Sequence, residues 1–167
     1  MSKKRIQLTL FVEETESVEI ERIRKEFNPE QYSLIKSHVT LCREDELEQI
    51  DKITQTLKML DYNSITIDFG KVVRFSNRKG VMLPSIGDNE PFKKLRKSIL
   101  MPVNIEPIDY FPHITLMHPR NSTCTDIWFE QIEKFILPVR LEFKKISVIE
   151  KQGGNKWNVI KEFSLQS

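Results

Sequence analysis

His38-Val39-Thr40-Leu41 and His113-Ile114-Thr115-Leu116 are one four-residue pattern written twice in this 167-residue chain. A given histidine is followed by Val/Ile-Thr-Leu on the order of once in a thousand cases from ordinary residue usage. Two of the three histidines here are. Side chains alternate faces along a strand, so His and Thr point one way while Val39, Leu41, Ile114 and Leu116 point into a core. Each copy therefore presents an imidazole and a hydroxyl together. If both copies face one cleft, two groups able to take or give a proton near neutral pH stand beside two hydrogen-bond donors, which suits a phosphodiester.

Outward from the two copies, patterning predicts strands over 6–13, 37–43, 65–75, 81–83, 112–117, 140–150 and 156–163. It predicts helices over 17–27, 45–60, 90–100 and 125–137, the last with Ile127, Trp128, Ile132 and Phe135 inward. Polar turns at 76–80 and 152–155 are expected to close hairpins. The order strand, helix, motif strand, helix, strand is read once over 6–70 and again over 81–150, as in a duplicated chain forming a single domain over 1–167. The same alternation also suits a doubly wound parallel sheet, but no glycine-rich phosphate loop follows the first strand.

Hydrophobic residues make up 39% and charged residues 30%, with only 5 Gly and 8 Pro, so disordered and fibrous classes are excluded. The net charge is +2, yet residues 71–120 carry nine Lys/Arg against four acids, a basic segment in an otherwise slightly acidic chain. Lys93, Lys94, Arg96 and Lys97 suit either an RNA backbone or a solvated helix face. The opening residues do not read as a signal peptide, and no stretch approaches the length of a membrane span. Cys42 and Cys124 fit reduced thiols, so a cytoplasmic protein is expected. Strand parity puts Cys42 on the His38 side.

The doubled H-x-T-L, with Phe111-Pro112 before the second copy, resembles the 2H phosphoesterase superfamily, and within it the 2′-5′ RNA ligase and RNA 2′,3′-cyclic phosphodiesterase group. The resemblance spans nearly the whole chain. It implies a bilobal, internally duplicated α+β fold, with two mostly antiparallel concave sheets flanking a central cleft and helices outside. It also implies His38 and His113 as an acid/base pair, Thr40 and Thr115 as phosphate ligands, and catalysis with no metal and no cofactor. By analogy with the family, His113 activates water and His38 protonates the leaving sugar oxygen. The partner implied is RNA or a small nucleotide with a cyclic phosphate or 2′-5′ linkage, acted on by a monomer away from any membrane. An RNA-binding module of the same fold without turnover is the alternative.

Members of the group commonly place a basic residue two positions after the motif leucine. Arg43 meets this in the first copy, whereas the second has His118, with Arg120 two beyond. Tyr110 is a candidate to stack on a base beside the second copy. No cysteine or carboxylate stands at ligand spacing around the histidines, so a metal site is not expected.

Overall fold

A computed structural model describes residues 3–166. Among the described residues there are nine strands: β1 (Lys4–Phe11), β2 (His38–Cys42), β3 (Ile65–Asp68), β4 (Val73–Arg74), β5 (Val81–Pro84), β6 (His113–Met117), β7 (Arg140–Phe143), β8 (Lys145–Gln152) and β9 (Asn158–Ser164). The helices are α1 (Val18–Phe27), α2 (Pro29–Leu34), α3 (Ile50–Lys58), α4 (Glu90–Leu100) and α5 (Asp126–Ile132). Seven strands join in the order β4-β5-β6-β2-β1-β8-β9, and β3 with β7 forms a second, two-stranded sheet. Every pairing within both sheets is antiparallel, which removes the doubly wound alternative.

The α+β, antiparallel expectation holds, with one difference in how the halves meet. The motif strands are neighbours in the large sheet, bridged at the single pair Val39/Ile114. The halves also interlock. The first helix of each packs on the other's motif strand, α1 on β6 and α4 on β2. Burying four apolar motif residues at that junction fixes the register: Val39, Leu41 and Ile114 are fully buried and Leu116 nearly so.

Several boundaries differ from the patterning for local reasons. The 65–75 segment breaks at Gly70, where the chain passes from the small sheet to the large one. A Cβ there would lie 2.9 Å from Ile86 Cγ2. The 140–150 segment divides at Lys144 because β7 pairs with β3 while β8 pairs with β1 and β9. The helix expected from 45 begins only at Ile50. Ahead of it a 3-10 turn, Glu44–Glu46, swings the Glu46 carboxylate inward. The last helix is short, and only Ile132 on it is buried. Thr125 Oγ1 caps it by accepting from the Trp128 N–H, and Ile127 and Trp128 in that first turn are 68% and 38% exposed. Trp128 rests edge-on against Phe27 rather than in the core.

Candidate active site

His38, Thr40, His113 and Thr115 line one cleft of about 480 Å³. Arg43, Tyr110, His118 and Arg120 line it too, so all eight residues singled out in the sequence meet there. The antiparallel register through Val39/Ile114 carries His38 towards Thr115 and Thr40 towards His113. Each imidazole thus stands beside the other motif's hydroxyl.

The strand irregularities matter as much as the motifs. In β2 the partner register jumps from Thr9/Thr40 to Leu8/Cys42, and in β6 it jumps from Met82/Thr115 to Val81/Met117. Each motif strand therefore carries one extra residue after its threonine, Leu41 in one and Leu116 in the other. A bulge resets the alternation of faces. Cys42 and Met117 fall into the core, and Arg43 and His118 come back to the cleft. This corrects the parity argument for Cys42. Its thiol is fully buried, burial raises its pKa, and both cysteines are free.

Both motif histidines turn Nδ1 towards the carbonyl two residues back. For His38 the acceptor is the Lys36 oxygen at 2.8 Å, and for His113 it is the Phe111 oxygen at a looser 3.4 Å. A proton on Nδ1 donated there leaves Nε2 as the nitrogen with a free lone pair. Phe11 meets the His38 ring edge-on at 5.9 Å, and Phe75 does the same for His113. Burial pushes His38 down to about 4, aided by the Arg24 guanidinium and by His113 and His118, against the pull of the Lys36 carbonyl. Burial also lowers His113. Both shifts favour the neutral imidazole at neutral pH. Thr40 Oγ1 accepts from Gln7 Nε2 at 2.6 Å, which leaves the threonine's own proton for a ligand.

His118 stands differently. Its Nδ1 accepts the Arg120 backbone N–H at 3.0 Å, and burial, with Arg120 and Arg5 nearby, lowers its pKa to about 4. It presents a neutral ring at the position where Arg43 presents a cation. Positive charge comes instead from Arg5, Arg24, Arg43 and Arg120, against the single carboxylate of Glu44.

Tyr110 is not free to stack on a base. Its hydroxyl donates to the Thr40 carbonyl at 2.6 Å, the Arg96 guanidinium covers its ring at 4.3 Å, and Phe92 meets it edge-on. Arg96 itself is 2% exposed, so it belongs neither to a solvated face nor to an RNA track. It pairs with Glu46 through both terminal nitrogens, at 3.0 and 2.7 Å, and donates to the Leu41 carbonyl at 2.6 Å. Glu46 in turn accepts from the Arg43 N–H. This buried network pins the back of β2.

Arg24 joins the cleft from outside both motifs. It is 1% exposed and lines the cleft, donating to Glu21 at 2.6 Å and to the Ile35 carbonyl at 2.7 Å. Glu21 also accepts from the Ser37 N–H, so the segment leading into His38 is tied at two points. A signal was present. Ile20-x-x-Ile23-Arg24-x-x-Phe27 and Phe92-x-x-Leu95-Arg96-x-x-Ile99 share one spacing, which puts each arginine on the buried face of its helix.

An antiparallel α+β sheet bearing two inward-facing His-x-Thr strands over an arginine-lined cleft defines a two-histidine phosphoesterase architecture. The 2'-5' RNA ligase superfamily matches residues 12–155, and the chain belongs to that superfamily, a 2H phosphoesterase family. Among solved structures, E. coli LigT complexed with ATP is similar with a TM-score of 0.69 at 13% identity, covering 100% of both chains. LigT complexed with 3'-AMP gives 0.67 at 14%, covering 98% of this chain and 99% of that one. A structure described as a phosphoesterase gives 0.68 at 13%, covering 99% and 100%. No curated protein matches the sequence. Among the described residues no helix is long and apolar enough to cross a membrane.

Proposed function

We propose that the chain is a metal-independent phosphodiesterase acting on 2′,3′-cyclic phosphates or 2′-5′ linkages of RNA or nucleotides, built as one domain of two pseudo-symmetric lobes. The observation that carries this reading is the meeting of His38, Thr40, His113 and Thr115 on one cleft floor, each histidine beside the other motif's threonine. Binding alone has no need of two imidazoles, whereas opening a cyclic phosphate needs one group to accept water's proton and another to protonate the leaving oxygen.

His113 takes the proton of the attacking water as its oxygen bonds to phosphorus. The P–O bond to one sugar oxygen breaks, and His38 Nε2–H protonates that oxygen. Thr40 and Thr115 hydroxyls donate to the non-bridging oxygens as charge builds there. Burial keeps His38 neutral at neutral pH, and a phosphodiester anion beside the ring favours the imidazolium, formed by taking a proton from solvent as the substrate binds. Arg43 and Arg120, with Arg5, supply the attraction that brings the anion in.

The test is hydrolysis of 2′,3′-cyclic AMP by purified protein in EDTA across pH. A bell-shaped rate profile and undiminished turnover in chelator are expected. Activity lost on chelation and restored by a divalent cation would overturn the metal-free mechanism.

A further inference from the structure

We infer that a second cavity beside His38 seats the nucleobase of the substrate, so that the phosphate lies in the arginine-lined cleft and the base lies between Phe11 and Trp157. This rests on the reading of the cleft as a phosphodiester site and names which part of the substrate goes where.

The cavity measures about 570 Å³, within the roughly 300–1,000 Å³ typical of small-ligand sites. Ile35 and Trp157 line both it and the catalytic cleft, so the two spaces adjoin. Phe11 ties the cavity to the chemistry, since it is opposite His38 in the β1–β2 register and touches the ring edge-on. A group bound against Phe11 is therefore close to whatever His38 protonates.

Charge separates the two spaces. The cleft has four arginines and one carboxylate, whereas the side cavity has Glu13, Glu14 and Glu162 against Lys36 and Lys145. Both lysines are already paired, Lys36 with Glu14 at 2.8 Å and Lys145 with Glu162 at 3.0 Å. The side cavity carries three carboxylates against two lysines, a net negative lining that disfavours a further phosphate, so the chain of a polynucleotide does not continue that way. A neutral, flat, aromatic group fits instead, with apolar Phe11, Val159 and Trp157 for its faces and carboxylates for its amino edge.

Trp157 is placed for this. Its backbone N–H donates to the Leu34 carbonyl at 3.0 Å, fixing the loop between β8 and β9 against the end of α2. The Arg5 guanidinium stands 5.3 Å from its ring centroid, and Arg5 lines the cleft but not the side cavity. The indole thus divides the two spaces, cation on one side and base on the other.

The chain has two tryptophans, so Trp128→Phe leaves Trp157 as the sole indole reporter. Titrating that protein with adenosine 3′-monophosphate should quench its emission saturably, and ribose 5-phosphate, which lacks a base, should not. Trp157→Ala and the cavity-charging Val159→Glu should each raise KM for 2′,3′-cyclic AMP roughly ten-fold or more, as loss of one base–aromatic stack does, with little change in kcat. Turnover of 2′,3′-cyclic AMP with no quenching and unchanged KM in both variants would overturn the base pocket and leave the phosphodiester reading standing. Saturable quenching without turnover would overturn the catalytic reading and leave the base pocket standing.

Discussion

Val39 and Ile114 oppose each other at the single bridged pair between the motif strands, and both side chains are fully buried. That one apolar contact sets the spacing of everything polar around it. Because His38 and Thr40 flank Val39, and His113 and Thr115 flank Ile114, the pair fixes where two imidazoles and two hydroxyls meet. Substitution there is expected to act on catalysis through register rather than through chemistry.

Acid should weaken the fold in a defined window. His38 and His118 are held near 4 in the native state against an ordinary value of 6.5. Between those values the unfolded chain binds protons that the folded chain refuses, so stability is complete above about pH 6.5 and declines as pH falls towards 4. Thermal unfolding at pH 7 and pH 4.5 should show a lower Tm in acid, and a smaller drop in His118→Asn than in wild type. An equal drop in the variant would mean His118 is not held neutral.

Arg96→Met should destabilise by about 3–5 kcal/mol, because it strands the Glu46 carboxylate at 3% exposure. Adding Glu46→Leu should recover part of that loss. Urea unfolding of the single and double variants measures both effects. A single variant as stable as wild type would remove the network's role in holding β2.

Gly80 closes the turn between β4 and β5 against the end of β6. A Cβ there would lie 2.7 Å from the Met117 carbonyl oxygen, 2.6 Å from Phe75 Cδ2 and 2.8 Å from Pro119 Cδ. The Met117 carbonyl is strand backbone, so Gly80→Ala should cost about 1–3 kcal/mol, as overpacking does, and should lower turnover by shifting β6. Unfolding midpoints and kcat measured together check this. An unchanged midpoint would contradict it.

What was legible in the chain followed from periodicity. The alternation of His38 to Leu41 and of His113 to Leu116 set which side chains are buried, and the Glu90–Leu100 helix carries its apolar face where 3.6-residue spacing puts it. What was not legible depended on partners distant in sequence. Arg96 suits a solvated helix face by spacing alone, yet it and Glu46 are each the other's reason to be buried, and the inward turn at Glu46 shortens the helix expected from 45. Trp128 follows core spacing on a helix with too little beside it to cover that face. The extra residue after each threonine decides whether Arg43 and His118 reach the cleft, and a register jump is visible only once strands are paired. The family membership of residues 12–155 agrees with the doubled motif.

The proposed mechanism needs two histidines sharing one reaction. Hydrolysis of 2′,3′-cyclic AMP should be compared in wild type, His38→Ala and His113→Ala, with circular dichroism confirming that all three fold. Each variant should lose about 10²–10⁴-fold in kcat, the usual worth of a positioned acid or base. Turnover within a few-fold of wild type in either folded variant would contradict the two-histidine mechanism.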